Sequence, residues 1–152
     1  MVRGLVTASM NSDSSALSIL HALFGMGLLT LVMAAWMSVT RLRAMGQLGV
    51  ALQDAAHTID LHTRLPSSVR RVSDNYNHLF EAPTAFYAVA LGIVVAGFAD
   101  PLYAACAWAF LACRVLHSLV QATINLVPLR VLFYTLSWIA LAIMIVRPLL
   151  AL

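Results

Sequence analysis

Charged residues are scarce in this chain, and lysine is absent from it. Charged residues make up 10% of the 152 positions and hydrophobic residues 62%, whereas typical soluble domains contain about 25% and about 45–50%. A soluble domain of this length needs far more polar surface to cover its core. The composition therefore excludes an ordinary soluble fold and predicts that lipid surrounds most of the chain.

The nine basic residues are all arginine, and five of them fall in one stretch between apolar runs, namely Arg41, Arg43, Arg64, Arg70 and Arg71. A nucleic-acid footprint would be a denser basic patch on a water-soluble face. The net charge of +3 therefore does not predict nucleic acid as a partner. We interpret it as loop charge that faces the cytoplasm or anionic lipid.

Cysteine is rare as well, and its spacing excludes a local disulfide. Cys106 and Cys113 lie on one predicted helix, where a separation of seven residues places their Cα atoms roughly 10 Å apart, too far for a bridge. The cysteines and histidines show no metal-ligand spacing. The sequence therefore predicts no metal site.

Four long apolar segments are present, at residues 16–39, 76–98, 102–126 and 129–150. Each exceeds the ~20 residues that a helix needs to cross a bilayer core. Asp100-Pro101 predicts a turn between the second and third segments, because proline suits a first helical turn, and Pro128 marks the next turn. The fold class predicted is an all-α integral membrane four-helix bundle.

The arginines also predict the orientation of the bundle. Five lie in the first loop and Arg130 lies at the last turn, whereas the opposite side carries Arg3 and Arg147. The positive-inside rule then places the first loop in the cytoplasm and both termini outside. A short interfacial helix is predicted within this loop at residues 50–61.

Two charged residues lie inside the apolar segments, Glu81 and Arg114, although each costs about 2.5–3.5 kcal/mol at a bilayer centre. Polar residues recur beside them at helical spacing. The face in the second segment consists of Asp74, Asn77, His78 and Glu81, and the face in the third consists of Arg114, His117, Ser118, Gln121 and Asn125. Antiparallel neighbours bring these faces to similar depth.

Two interpretations of the paired faces stand equal. Glu81, Arg114 and His117 either satisfy one another as a polar packing cluster or line a ligand site. Pro83 lies two residues after Glu81 and removes a backbone donor, so it predicts a kink at this face.

Two blocks of sequence resemble a known family. Asn75-Tyr76-Asn77-His78-Leu79-Phe80-Glu81-Ala82-Pro83 with Thr84-Ala85-Phe86-Tyr87, and Arg114-Val115-Leu116-His117-Ser118 through Asn125 to Arg130, are similar to bacterial members of the MAPEG family, the membrane-associated proteins in eicosanoid and glutathione metabolism. The resemblance implies a left-handed four-helix bundle assembled as a homotrimer in the bacterial inner membrane. It also implies glutathione, bound between subunits near the cytoplasmic face, as the cofactor.

The resemblance implies roles for individual residues. Glu81 would bind the glutathione amino group with Asn77 or His78 beside it, and Arg70 or Arg71 would meet the carboxylates. Arg130 is the first candidate for stabilising the thiolate, since a guanidinium lowers a thiol pKa, and Arg41 or Arg43 is the second. Arg114, His117 and Gln121 complete the predicted binding set.

The sequence also departs from the family pattern. His117 and Gln121 stand where glutathione-using members carry tyrosines, Arg130 aligns only with about two inserted residues, and Asn77 is four residues from Glu81 instead of three. The predicted function is a glutathione-dependent transferase or peroxidase acting on a lipophilic small molecule. The alternative is a non-catalytic lipid-binding or scaffold protein, and a transporter or channel has little support.

Overall fold

The structure is a computed structural model that describes residues 2–51, 53, 61 and 63–151, with side chains from residue 11 to residue 150. The helices whose bounds fall within the described residues are α1 (Val2–Gln47), α2 (Ser67–His78), α3 (Ala82–Val95), α4 (Pro101–Ala122) and α5 (Val127–Ala151). The described residues contain no strand. The predicted all-α class is confirmed.

Four stretches of helix are long and apolar enough to span a membrane, at Asn11–Gln47, Ser67–Val95, Pro101–Ala122 and Val127–Leu150. The predicted four-span membrane protein is confirmed. The second span begins at Ser67 instead of residue 76 and is built from α2 and α3. Hydropathy missed α2 because its sequence, SSVRRVSDNYNH, is polar although helical. The interfacial helix expected at residues 50–61 lies mostly outside the described residues.

The predicted turn at Asp100-Pro101 is present, and the sequence explains it locally. α3 is followed by Gly97, whose φ of 73° is a left-handed conformation that glycine adopts without penalty. Asp100 then caps α4, because its Oδ1 accepts hydrogen bonds from the amides of Leu102 at 2.9 Å and Tyr103 at 3.0 Å. Pro101 occupies the first turn, where it needs no donor.

The second span is interrupted where Pro83 predicted a kink. α2 ends at His78 and α3 begins at Ala82, with Pro83 in its first turn. Glu81 lies in the break with φ −94° and ψ −105°, outside the helical range. The missing N–H of Pro83 prevents one of the hydrogen bonds that a continuous helix requires, so the expected kink is a full break.

α4 is the central helix of the bundle. Half of the residues in its 18-residue membrane-spanning stretch are buried inside the protein, compared with 22% in the corresponding stretches of α1 and α5. Phe110 of α4 stacks on Phe86 of α3 with ring centroids 4.3 Å apart, and α1 approaches α4 closely at Gly25. Large apolar side chains on the outer faces remain exposed, as with Phe24 at 69% and Leu149 at 67%, which suits contact with lipid.

Candidate functional site

A polar cavity of about 260 Å³ lies at the end of the bundle where the long first loop enters α2. We call it the polar pocket. Its lining residues come from α2, from the break, from the end of α4 and from the turn into α5, and they are Arg71, Asp74, Asn77, His78, Glu81, Gln121, Asn125 and Arg130. The two polar faces of the sequence therefore meet in one cavity.

His78 and Glu81 form a hydrogen-bonded pair on the pocket wall. The Nδ1–H of His78 donates to Oε1 of Glu81 over 3.0 Å, and the two side chains are 35% and 50% exposed. The helix break places Glu81 at the start of a new helix, three residues from His78. The pair is thus open to a ligand entering the pocket.

Arg114 lies behind this wall and not within the pocket. Its side chain is 0% exposed, and Nη2 donates to the backbone oxygen of His78 over 2.8 Å. That oxygen belongs to the last turn of α2, whose carbonyls lack intrahelical donors. Arg114 therefore caps α2 from the neighbouring helix and fixes the position of the break.

His117 is also held by structural contacts. It is 3% exposed, its Nε2 lies 2.9 Å from Oε1 of Gln121, and its Nδ1 lies 3.0 Å from the backbone oxygen of Arg130. The packing cluster of Glu81, Arg114 and His117 was one of the two interpretations of the sequence, and no hydrogen bond joins these three side chains among the described residues. Within the described part of the chain, no ion pair joins Glu81 to Arg114.

Arg130 is positioned by the turn between α4 and α5. Asn125 adopts φ 54°, a left-handed conformation that asparagine tolerates better than most residues. Its Oδ1 accepts a hydrogen bond from Nη1 of Arg130 over 2.8 Å. Arg71 is fixed in a similar way, because its Nη1 donates to the backbone oxygen of Thr123 over 2.6 Å. Both guanidinium groups thus reach the pocket from rigid anchors.

A second cavity of about 160 Å³ adjoins the polar pocket. We call it the apolar pocket. Its lining residues are His78, His117, Val127, Arg130, Val131 and Tyr134. His78 and Arg130 therefore line both cavities. A ligand atom beside these two side chains would face charged groups on one side and an apolar wall on the other.

Comparison with known proteins identifies the family of this chain. The model of the MAPEG family matches residues 19–150, which is nearly the whole chain. The chain belongs to the MAPEG family. No curated protein and no solved structure matches it. The family is generally associated with glutathione.

The structure of this MAPEG protein separates the predicted site residues into two groups. Those in the polar pocket are Arg71, Asn77, His78, Glu81, Gln121 and Arg130. Those outside it are Arg41, Arg43, Arg70, Arg114 and His117. Arg41 instead directs Nη2 toward Oγ of Ser73 at 3.4 Å. Residue spacing alone could not distinguish the two groups of residues, because the positions of helix ends and of the break decide which side chains reach the pocket.

Some lining residues were absent from the predicted binding set. Asp74 and Asn125 line the polar pocket. They belong to the polar helical faces that the sequence analysis identified, so helical periodicity could have predicted their place in the pocket. No sequence pattern pointed to the apolar residues of the second pocket, Val127, Val131 and Tyr134. Apolar residues in a membrane helix look alike in sequence whether they face lipid or a cavity.

Proposed function

We propose that this MAPEG protein is a glutathione-dependent transferase or peroxidase that acts on lipophilic electrophiles dissolved in the membrane. One observation carries the proposal, namely that the polar pocket and the apolar pocket share His78 and Arg130. A water-soluble thiol and a lipid-soluble substrate would meet at this boundary. Glutathione supplies the thiol that acts as the nucleophile.

The charges of the polar pocket suit glutathione, which carries one ammonium group and two carboxylates. Glu81 and Asp74 offer oxygens to the ammonium group, and Arg71 offers donors to a carboxylate. Asn77 and Gln121 offer amide groups to the peptide bonds of the ligand. The residues present therefore fit the cofactor that the family implies.

Two arginines that line the polar pocket carry unpaired donors, which supports an anionic ligand. The Nε atoms of Arg71 and Arg130 are buried and have no hydrogen-bond partner among the residues that the structure describes. A buried donor without an acceptor is costly, by about 1–3 kcal/mol and more for a charged group. A carboxylate or a thiolate beside these guanidinium groups would remove that cost.

Arg130 is the residue that we propose for stabilising the thiolate. It lies on the boundary between the two pockets, and its anchor on Asn125 fixes one edge of the guanidinium. A fixed cation near a thiol favours the ionised form, which is the reactive nucleophile. Arg41 and Arg43, the second candidates from the sequence, lie outside both pockets.

The size of the polar pocket is consistent with a site that a neighbouring subunit completes. Its volume of about 260 Å³ is slightly below the ~300–1,000 Å³ of typical ligand sites. We therefore propose the homotrimer of the family for this chain. The arginine-rich loop at the same end supports a cytoplasmic opening, with both termini outside and the bacterial inner membrane as the location.

The test is glutathione binding by the purified protein in detergent. We expect thermal stability to rise with millimolar glutathione, because a ligand that binds only the folded state stabilises it in proportion to the logarithm of its concentration. Ultraviolet absorbance of the thiolate should show an ionised thiol in the wild type and not in Arg130→Ala. Arg64→Ala removes an exposed arginine that lines neither pocket and serves as the charge-matched control.

The second candidate function is a non-catalytic lipid-binding or scaffold protein. His117 and Gln121 replace the tyrosines of glutathione-using members. The observation in favour of this function is that the two side chains bond to each other and that His117 also bonds to the backbone oxygen of Arg130. On this alternative, both side chains serve packing and not ligand binding. A protein that is stabilised by added lipid but unaffected by glutathione, in both stability and thiolate absorbance, would favour this function over the enzyme.

A further inference from the structure

His78 occupies the position where a proton acceptor would be needed. Its imidazole lines both the polar pocket and the apolar pocket, so it lies beside any sulfur atom held at their boundary. We infer that His78, oriented by Glu81, accepts the thiol proton when glutathione binds, so that the sulfur is a thiolate before it attacks the lipophilic substrate. The inference rests on the proposed function and adds a catalytic base to it.

The hydrogen bond to Glu81 fixes which ring nitrogen is available. A carboxylate can only accept, so the proton of a neutral His78 resides on Nδ1, which lies 3.0 Å from Oε1 of Glu81. The lone pair is then on Nε2. In the described part of the chain, Nε2 makes no hydrogen bond, which leaves it able to accept a proton from a ligand.

The backbone and the ring of His78 are held in place from α4. Arg114 binds the His78 carbonyl oxygen over 2.8 Å, and the His117 ring lies edge-on to the His78 ring with centroids 6.2 Å apart. A base that is positioned in advance transfers protons efficiently, because little reorganisation is needed at the moment of reaction. The pair therefore has the orienter, base and fixed scaffold of a general-base dyad.

The proton and electron balance of the step is simple for addition to an α,β-unsaturated ketone. When glutathione binds, the S–H bond breaks, its proton moves to Nε2 of His78 and the sulfur keeps the electron pair. That electron pair then forms the S–C bond at the β carbon of the substrate. The electrons of the C=C bond shift to give an enolate. His78 then returns the proton to the α carbon, so the ring is regenerated and no further reactant is required.

Charged and titratable groups surround His78 in the two pockets and on the helices packed against α2 in the described part of the chain. On α1, Arg41 lies against Ser73 of α2. The remaining groups are Arg71 and Asp74 on α2, Glu81 in the break, Arg114 and His117 on α4, and Arg130 and Tyr134 on α5. Glu81 is the one in hydrogen-bond contact with the ring, so it is the group that faces the imidazolium formed in the step.

Nitrogen NMR of the wild-type protein labelled in its imidazole rings tests the inference without turnover. Glutathione should convert the His78 signal from neutral imidazole to imidazolium, whereas S-methylglutathione, which has no thiol proton, should leave it neutral. The His78→Asn variant assigns the signal. If calorimetry shows that glutathione binds while His78 stays neutral, the inference is wrong and the proposed function survives. If neither ligand binds, the proposed function itself fails.

Kinetics with trans-4-phenyl-3-buten-2-one supplies the second test. We expect His78→Asn to lower kcat about 100-fold or more, as loss of a general base does, while KM for glutathione changes by less than about threefold. Added imidazole should restore part of the rate of His78→Asn. It would not do so if the role of His78 were only structural. His21→Asn, on the exposed face of α1, is the matched control. An unchanged kcat in His78→Asn would overturn the assignment.

Discussion

The close contact between α1 and α4 at Gly25 gives a prediction that the structure makes quantitative. A Cβ atom at Gly25 would lie 2.7 Å from Cδ2 of Leu111, whereas one at Gly27 would have no heavy atom within 4 Å. Both glycines are in the same helix, two residues apart. Substituting alanine at each position therefore compares an overpacked site with an open one on the same backbone.

The expected magnitudes follow from two opposing effects. Alanine in place of a helical glycine gains about 0.5–1 kcal/mol because the unfolded chain loses less freedom. Forcing a methyl group into a packed contact costs about 1–3 kcal/mol, and Leu111 is only 8% exposed, so it has little room to move. We expect Gly27→Ala to be stabilising and Gly25→Ala to be about 1–3 kcal/mol less stable than Gly27→Ala.

Reversible unfolding by sodium dodecyl sulfate in mixed micelles would measure these free energies. Leu111→Ala removes the contacted atom, so the pair Gly25→Ala and Leu111→Ala should be more stable than the sum of the single effects predicts, by about 1–3 kcal/mol. The same cycle with Gly27→Ala should show no coupling. A Gly25→Ala protein as stable as Gly27→Ala, with no coupling to Leu111, would refute the packing of α1 on α4.

Three further predictions concern single side chains. Burial acts to raise the pKa of Asp100, but hydrogen bonds from the Tyr103 amide and from Arg147 outweigh it and hold this pKa below the ordinary 3.8. Asp100→Asn keeps a capping oxygen but loses the negative charge. The wild type should therefore be more stable than this variant above pH 3.8, and the difference should disappear as pH falls through the lower pKa of the folded state. Unfolding at a series of pH values would measure it. At Asn125, glycine should stay within about 0.5 kcal/mol of the wild type and alanine should cost about 1–2 kcal/mol in the same unfolding assay, because φ is 54° there. Arg114→Met removes a charged hydrogen bond worth about 1.5–3 kcal/mol, so amide hydrogen exchange at residues 79–82 should accelerate about 10- to 100-fold, and unchanged exchange would contradict its capping role.

Helical periodicity predicted the polar pocket better than it predicted the function of each residue. The spacing of Asp74, His78 and Glu81 placed them on one face, and the structure brings that face together with Gln121 in one cavity. Arg114 and His117 share the opposing face, yet they turn to backbone oxygens. Periodicity gives a direction around the helix axis but no information on which acceptor a long side chain reaches.

Composition and local pattern alone determined that lipid is the solvent, that four helical spans cross it, and that a turn begins at Asp100-Pro101. These properties depend on apolar run length and on residues next to each other in sequence, so no distant contact is needed to read them. The tertiary structure decided the cap that Arg114 provides at the break after His78, and the pair of cavities that share His78 and Arg130. Each of these depends on contacts between residues far apart in the chain, and a sequence pattern does not contain the distances that select them.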